Sequence, residues 1–214
     1  MENAVKHVDH FKFLGCIIDS KLTWSMHIAS VCKKISCGIG ILRTVRISFP
    51  IRMLEMIYFA YIYPYIMYCL AIWGNAAHIH TNKALILQKR TLRIVYKVLY
   101  CEHVKPLAHA HNLLLLPELY EYCLSLFLYR CLVLCYNPDL FVKNGFIRLN
   151  TLCNTRNSGH NFFIPYARLS LRKHCIIFEC VKIWNLFPVN VKQLSSLGSF
   201  KSHHKSILLA KYCN

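Results

Sequence analysis

The chain has 214 residues, and its 26 Lys and Arg against nine Asp and Glu give a formal net charge of +17. This excess favours a polyanionic partner, either nucleic acid or an anionic membrane surface, over a small-molecule substrate. Hydrophobic residues make up 56% of the chain, which is enough to bury a core in one domain or two small ones.

The first part of the chain predicts a short β structure. Residues 1–10 contain no apolar run and therefore no signal peptide, which favours an intracellular protein of the cytoplasm or nucleus. The segment His10–Ile18 alternates weakly and is rich in aromatic and β-branched residues. It predicts a strand or a short hairpin that ends at the turn-forming residues 19–21.

A long helix is predicted next. Thr23 can cap it, and apolar residues at helical spacing continue to about Val45. Its polar side carries four cations, namely Lys33, Lys34, Arg43 and Arg46. Gly38 and Gly40 weaken the middle of the helix and could allow another backbone to approach closely.

Residues 51–73 are apolar nearly all round and start just after Pro50. They predict a helix at the centre of a bundle, kinked at Pro64 and ended by Gly74. The part from Met56 to Trp73 has no charge and just reaches membrane-spanning length. Tyrosines crowd its middle, however, and Pro64 interrupts it, so a membrane span is the disfavoured interpretation.

Residues 82–97 predict a basic amphipathic helix. Its predicted buried stripe consists of Ala84, Leu87, Thr91, Ile94 and Val98, which recur at three- and four-residue steps. The other side carries Lys83, Lys89, Arg90, Arg93 and Lys97, with no acid among them. At ~1.5 Å per residue this row is about 20 Å long, comparable with several phosphate steps of a nucleic-acid backbone. The alternative is a solvated surface helix.

The remaining chain predicts further helices and one irregular segment. Residues 101–116 predict a connector with a short helical stretch, and Pro117 opens another helix. The inward-facing candidates of that helix are Leu119, Tyr122, Cys123, Leu126, Phe127, Arg130, Leu134 and Cys135. Residues 143–170 are rich in Asn, Gly, Thr and Ser and predict a linker or extended arm. A strand-like run over residues 171–181, an aromatic anchor around Trp184 and a basic helix from about Ser196 to Lys211 follow.

These elements predict a mainly α protein. A thumb-like helical bundle is preceded by a short β-hairpin or strand and followed by a small basic α/β module. The expected domains are residues 1–23, 24–142, 143–170 and 171–214.

The titratable residues predict no catalytic site, metal or cofactor. No two carboxylates are adjacent, whereas nucleotidyl transfer needs convergent carboxylates to hold a metal pair. The twelve cysteines include no Cys-x-x-Cys pair, and the twelve histidines have no cysteine at zinc-finger spacing. Because the cysteines lie within apolar runs, we expect reduced core thiols.

Several motifs follow one another over nearly the whole chain. The longest are Phe13–Trp24, Leu54–Gly74 and Leu87–Val95. Shorter ones lie at residues 103–107, 119–122, 154–156, 182–188 and 197–201. In this order they resemble the end of the palm, the thumb and the following region of reverse transcriptases from non-LTR (LINE-type) retrotransposons.

The resemblance implies part of an RNA-directed DNA polymerase. In that family the metal-binding aspartates precede the strand that corresponds to residues 13–15 of this chain. The resemblance therefore implies that this chain lacks them and is inactive alone. The predicted partner is RNA or an RNA–DNA hybrid. The chain is expected to contact the phosphate backbone of this nucleic acid without sequence preference. The predicted phosphate contacts are Lys33, Lys34, Lys89, Arg90, Arg93, Lys97, Arg156 and Arg172, with Arg168 and Lys173 as weaker candidates.

Other interpretations remain open at this stage. The chain could be an inert remnant of a transposon reading frame with no ligand, or a membrane-associated protein that uses residues 56–73. Five aromatic residues could stack on bases, although their spacing favours core positions: Phe11, Phe13, Tyr63, Trp73 and Trp184. The sequence specifies neither an oligomeric state nor a preference between RNA and DNA.

Overall fold

The computed structural model of the chain describes residues 8–133, 161–164, 166–169 and 175–213. The chain divides into two compact units, Met1–Ala108 and His109–Asn214. The predicted mainly α fold with a preceding β-hairpin is confirmed. The domain boundaries predicted at residues 142/143 and 170/171 lie outside the described residues.

The N-terminal hairpin consists of strands β1 (His10–Phe13) and β2 (Cys16–Asp19). The strands pair antiparallel, with Phe13 opposite Cys16 and His10 opposite Asp19. Leu14 and Gly15 form the two-residue loop with positive φ angles of 45° and 85°. A loop of this kind matches the twist of the flanking strands. The chain therefore reverses at Leu14. Of the two structures predicted for this segment, it forms the short hairpin and not a single strand.

Helix α1 (Ser25–Val45) ends where the sequence predicts, but its N-cap is Trp24 and not Thr23. The Asp19 carboxylate holds the preceding turn by accepting the backbone N–H groups of Thr23 at 2.9 Å and Trp24 at 2.7 Å. Desolvation raises the pKa of Asp19, but these hydrogen bonds outweigh it and hold the pKa below its usual range. Asp19 thus links the hairpin to the start of α1.

Residues 51–73 do not form one kinked helix. They form α2 (Ile51–Ile57), a π-helical turn (Tyr58–Ile62), α3 (Tyr63–Met67) and α4 (Leu70–Trp73). Because Pro64 has no N–H to donate to the carbonyl of Ala60, the chain widens into the π-helical turn just before it. A second break follows at Cys69, whose φ of 54° is left-handed.

Only one side of this helical segment is buried. Side chains at four-residue steps are fully buried, namely Leu54, Tyr58, Ile62, Ile66 and Leu70, and Trp73 continues the row. Met56 and Tyr61 on other sides are 70% and 56% exposed. The prediction that this segment lies at the centre of the bundle is therefore wrong, since its other sides are exposed. No helix in the described part of the chain is long and apolar enough to cross a membrane.

Helix α5 (His78–Val95) packs against α1, and α6 (Val104–Ala110) follows it. The buried side of α5 contains Ala84, Gln88, Thr91, Leu92, Ile94 and Val95. Three predicted stripe residues are among them, while Leu87 and Val98 are only half-buried. The stripe is rotated toward Gln88, whose amide donates a hydrogen bond of 3.4 Å to the Tyr58 hydroxyl.

The second unit contains α7 (Leu116–Leu132), α8 (Ile176–Leu186), α9 (Val189–Lys192) and α10 (Leu197–Ala210). The strand predicted up to Val181 is wrong for residues 176–181, which belong to α8. Phe178, Val181 and Trp184 are buried at three-residue steps, so packing on one side selects the helix.

The second unit has an aromatic core. Phe200 is fully buried, stacks on Tyr129 at 4.3 Å between centroids and meets the edge of Phe187 at 5.6 Å. Leu119 of α7 faces inward as predicted, but Phe127 and Arg130 are exposed. Helix α7 instead buries Leu116, Leu124, Ser125, Leu128, Tyr129 and Cys131, because its interior side is rotated from the predicted one.

Candidate nucleic-acid interface

Four arginines line a cleft in the first unit, between the C-terminal ends of α1 and α5. Arg43 and Arg46 lie at the end of α1, and Arg90 and Arg93 lie in the last turns of α5. The cleft has a volume of about 290 Å³. Its other described lining residues are Ile47, Ile94, Val98 and Tyr100, so the described lining contains no acid. We refer to this feature as the arginine cleft.

The local sequence explains why the arginines converge. Each pair is spaced three residues apart and therefore projects from one side of its helix. The cleft is lined by residues at the end of α1 and in the last turns of α5, so the basic ends of the two packed helices meet. Cations also stabilise the partial negative charge at a helix C-terminus, which gives Arg43 and Arg93 a structural role as well.

Arg93 connects α5 to the loop that follows it. Its Nε donates a hydrogen bond of 2.9 Å to the carbonyl oxygen of Glu102. Its guanidinium carbon lies 5.8 Å from the centroid of the Tyr100 ring, within range of a cation–π contact. These contacts hold the tyrosine ring at one wall of the arginine cleft.

Arg90 is half-buried, and its Nε is buried without a hydrogen-bond partner. A buried donor on a charged group without an acceptor costs about 1–3 kcal/mol or more. Among the described residues that line the cleft, Arg90 therefore carries a buried donor with no partner.

The other predicted phosphate contacts lie outside the arginine cleft. Lys33 and Lys34 are exposed in the middle of α1, and the Lys34 Nζ lies 4.8 Å from the centroid of the Tyr65 ring. Lys89 is half-exposed on α5. Lys97 is exposed but lies beyond the end of α5, with a left-handed φ of 57°, so the row of cations predicted along one helix is interrupted.

The C-terminal candidates differ in what the structure describes. Arg156, Arg172 and Lys173 lie outside the described residues. Arg168 is described and exposed.

The aromatic candidates divide between core and surface. Trp73 and Trp184 are 0% and 5% exposed and belong to the cores of their units. Phe11 and Phe13 on the hairpin are 60% and 57% exposed, and Tyr63 is half-buried.

Sequence reasoning did not identify the cleft itself. The sequence pattern indicates that Arg43 and Arg46 are basic surface residues, but it does not connect them with Arg90 and Arg93, and it gives no signal for Tyr100. The matching three-residue spacing of the two pairs, each at a predicted helix end, was the available indication. Among the described residues no group of three His, Cys, Asp or Glu could hold a metal ion.

Comparison with known proteins identifies two relatives. The chain is 33% identical over 94 residues to the RNA-directed DNA polymerase from mobile element jockey of Drosophila melanogaster. It is 30% identical over 94 residues to the polymerase of the same element from Drosophila funebris. Each match covers 42% of this chain but only 10% of the relative. No family model matches the chain, and no solved structure does.

These matches confirm the predicted resemblance to a non-LTR retrotransposon polymerase. The confirmation extends to the matched 94 residues. The assignment of α1–α5 to a thumb stays a prediction.

Proposed function

We propose that this retrotransposon-derived chain binds the sugar-phosphate backbone of RNA or an RNA–DNA hybrid through the basic surfaces of α1 and α5. It does not polymerise nucleotides by itself. The relation to RNA-directed DNA polymerases supports the class of partner. The scattered aspartates Asp9, Asp19 and Asp139 support the absence of catalysis, since metal-dependent nucleotidyl transfer requires convergent carboxylates.

The arginine cleft is the observation on which this proposal mainly rests. From Ser20 to Cys101 the chain has eleven Lys and Arg but one acid, Glu55. The Glu55 carboxylate accepts a hydrogen bond of 2.8 Å from the Tyr96 hydroxyl. Cations concentrated on two packed helices release counterions when they meet a phosphate backbone, which drives sequence-independent binding.

The test is binding of the full chain to a fluorescent, blunt-ended RNA–DNA hybrid at several salt concentrations. Replacing Arg90→Gln and Arg93→Gln together removes two cations and should weaken binding of every sequence tested. The slope of log affinity against log salt should also become shallower by about 2, close to one for each lost phosphate contact.

A matched control replaces Arg52→Gln and Lys105→Gln, two exposed residues of the same unit that do not line the arginine cleft. This variant has the same net charge as the first. Equal losses in both variants would mean that net charge alone drives binding. A folded chain that ignores the hybrid at low salt would instead identify an inert remnant.

A further inference from the structure

The lining of the arginine cleft combines two chemically different sets of side chains. One set is the four guanidinium groups of Arg43, Arg46, Arg90 and Arg93. The other set, the apolar lining, consists of Ile47, Ile94, Val98 and the Tyr100 ring. A site for phosphate alone would not need the apolar lining, whereas a nucleobase matches an aliphatic and aromatic surface.

Part of the apolar lining lies at the open surface. Ile47 is 91% exposed and Tyr100 is 79% exposed, so neither side chain contributes to the core of the first unit. The guanidinium carbon of Arg93 lies 5.8 Å from the centroid of the Tyr100 ring, so a cation and an aromatic ring of the lining are neighbours. The exposed apolar atoms are therefore positioned beside cations, next to where a bound phosphate would lie.

The volume of the cleft limits how much of a nucleic acid can enter it. A volume of about 290 Å³ is at the lower end of the range for sites that enclose a small organic molecule. It suits one nucleotide, not a segment of duplex. A base that stacks on a protein ring must also leave its partner strand, since both faces of a paired base are covered within a helix.

We propose that the arginine cleft receives one unpaired nucleotide of a nucleic-acid strand, with its phosphate on the arginines and its base on the exposed apolar lining, Ile47 and Tyr100. This inference rests on the proposed function and makes it more specific. The chain should bind duplex through the basic surfaces of α1 and α5, and a single-stranded overhang through the arginine cleft. Arg90, which lines the cleft and has a buried Nε without a hydrogen-bond partner, then has an anion beside its guanidinium.

The test compares the full chain on two fluorescent RNA–DNA hybrids at one salt concentration. One hybrid is blunt, and the other carries a three-adenosine overhang on the RNA strand. The hybrid with the overhang should bind about tenfold more tightly, which is the effect of stacking one base on an aromatic ring. A third hybrid with an abasic overhang of equal charge should lose this advantage.

Two double variants test whether the cleft causes the preference. Ile47→Ser with Tyr100→Ser should reduce the ratio of the two affinities to about one, because the exposed part of the apolar lining is gone. Met56→Ser with Ile79→Ser removes side chains that are 70% and 69% exposed elsewhere, and this control should keep the tenfold ratio. All four side chains are largely exposed, so the folded state should tolerate these changes.

The two proposals can fail separately. Equal binding of blunt and overhanging hybrids, or an abasic overhang that binds as well as the adenosine one, overturns the nucleotide site while leaving backbone binding intact. A preference that survives loss of Ile47 and Tyr100 also overturns it. If neither hybrid binds in a salt-dependent manner, the proposed function itself is wrong.

Discussion

His204 of α10 is the most constrained polar side chain of the second unit. It is fully buried, and its Nδ1 lies 2.7 Å from the Ser125 Oγ. Ser125 donates its only proton to the Tyr122 carbonyl at 2.9 Å, so the hydrogen-bond network makes Nδ1 the donor to the serine. The Nε2 atom then carries a buried lone pair without a partner.

Protonation of His204 would place a charged N–H in this aromatic surrounding with no acceptor. The ring stacks near Tyr122 at 5.6 Å and meets the edge of Phe187 at 4.7 Å. Burial, aided by the charge of Lys211, lowers the pKa of His204 to about 4. The folded state therefore favours the neutral imidazole, and the unfolded state takes up the proton first.

The second unit should lose stability as the pH falls from about 6.5 toward 4. Above the unfolded pKa of ~6.5 the contribution of His204 is fully present, and it disappears as the pH approaches the folded value. Between pH 7 and pH 5 the loss should be about 2 kcal/mol in urea unfolding followed by circular dichroism. His204→Gln can keep a hydrogen bond to Ser125 but cannot titrate, so its stability should change less. Identical pH dependence in both proteins would contradict this assignment.

Gly38 and Gly40 lie two residues apart in α1 but face different surroundings. A Cβ atom built on Gly38 would lie 2.6 Å from Cγ1 of Ile62, a fully buried residue of the π-helical turn. A Cβ atom on Gly40 would meet nothing within 4 Å. A close approach therefore exists at Gly38 only, and it is made by the Ile62 side chain and not by another backbone as the sequence suggested.

Alanine at these two positions should have opposite effects. Gly38→Ala should destabilise the first unit by about 1–3 kcal/mol, because Ile62 cannot move without disturbing the core. Gly40→Ala should stabilise it by up to about 1 kcal/mol through helix propensity. Urea unfolding of the two variants measures the difference, and each serves as the control for the other. A stabilised Gly38→Ala variant would mean that α1 and the π-helical turn are farther apart than the structure shows.

Sequence reasoning was most accurate for elements whose ends are set by local chemistry. It placed the end of α1 at Val45 and the start of α7 near Pro117, where helical spacing and proline are local features. It failed where tertiary contacts decide. The break at Cys69 requires a left-handed backbone conformation, which no local sequence pattern predicts. The helical conformation of residues 176–181 depends on which of their side chains are buried. The spacing of the two arginine pairs indicates a basic side on each helix, but the arginine cleft itself depends on how α1 and α5 pack.

Net charge does not distinguish the two halves of the molecule. Residues 1–112 contain fourteen Lys and Arg against five Asp and Glu, and residues 113–214 contain twelve against four. Their local environments differ, however. In the second unit Lys211 lies 2.6 Å from a Glu121 oxygen and Lys182 lies 2.8 Å from a Glu179 oxygen. The arginine cleft of the first unit has no acid in its described lining.

Separate expression of the two halves tests whether position or total charge matters. A cut after Asn112 follows the end of α6 and is close to the boundary between the compact units. If the cleft and the adjoining basic surface bind nucleic acid, residues 1–112 should retain most of the affinity of the full chain for the overhanging hybrid. They should also keep its preference over the blunt one. Residues 113–214 should bind weakly and without preference.

Binding driven by net charge alone would give the two halves similar affinities, since their charges are nearly equal. If the segment that contains Arg156 and Arg172 is the main binding site, residues 113–214 should bind more tightly than residues 1–112. Circular dichroism of each half establishes that it is folded before affinities are compared. Because the two halves differ little in charge, any large difference between folded halves must come from how their cations are arranged.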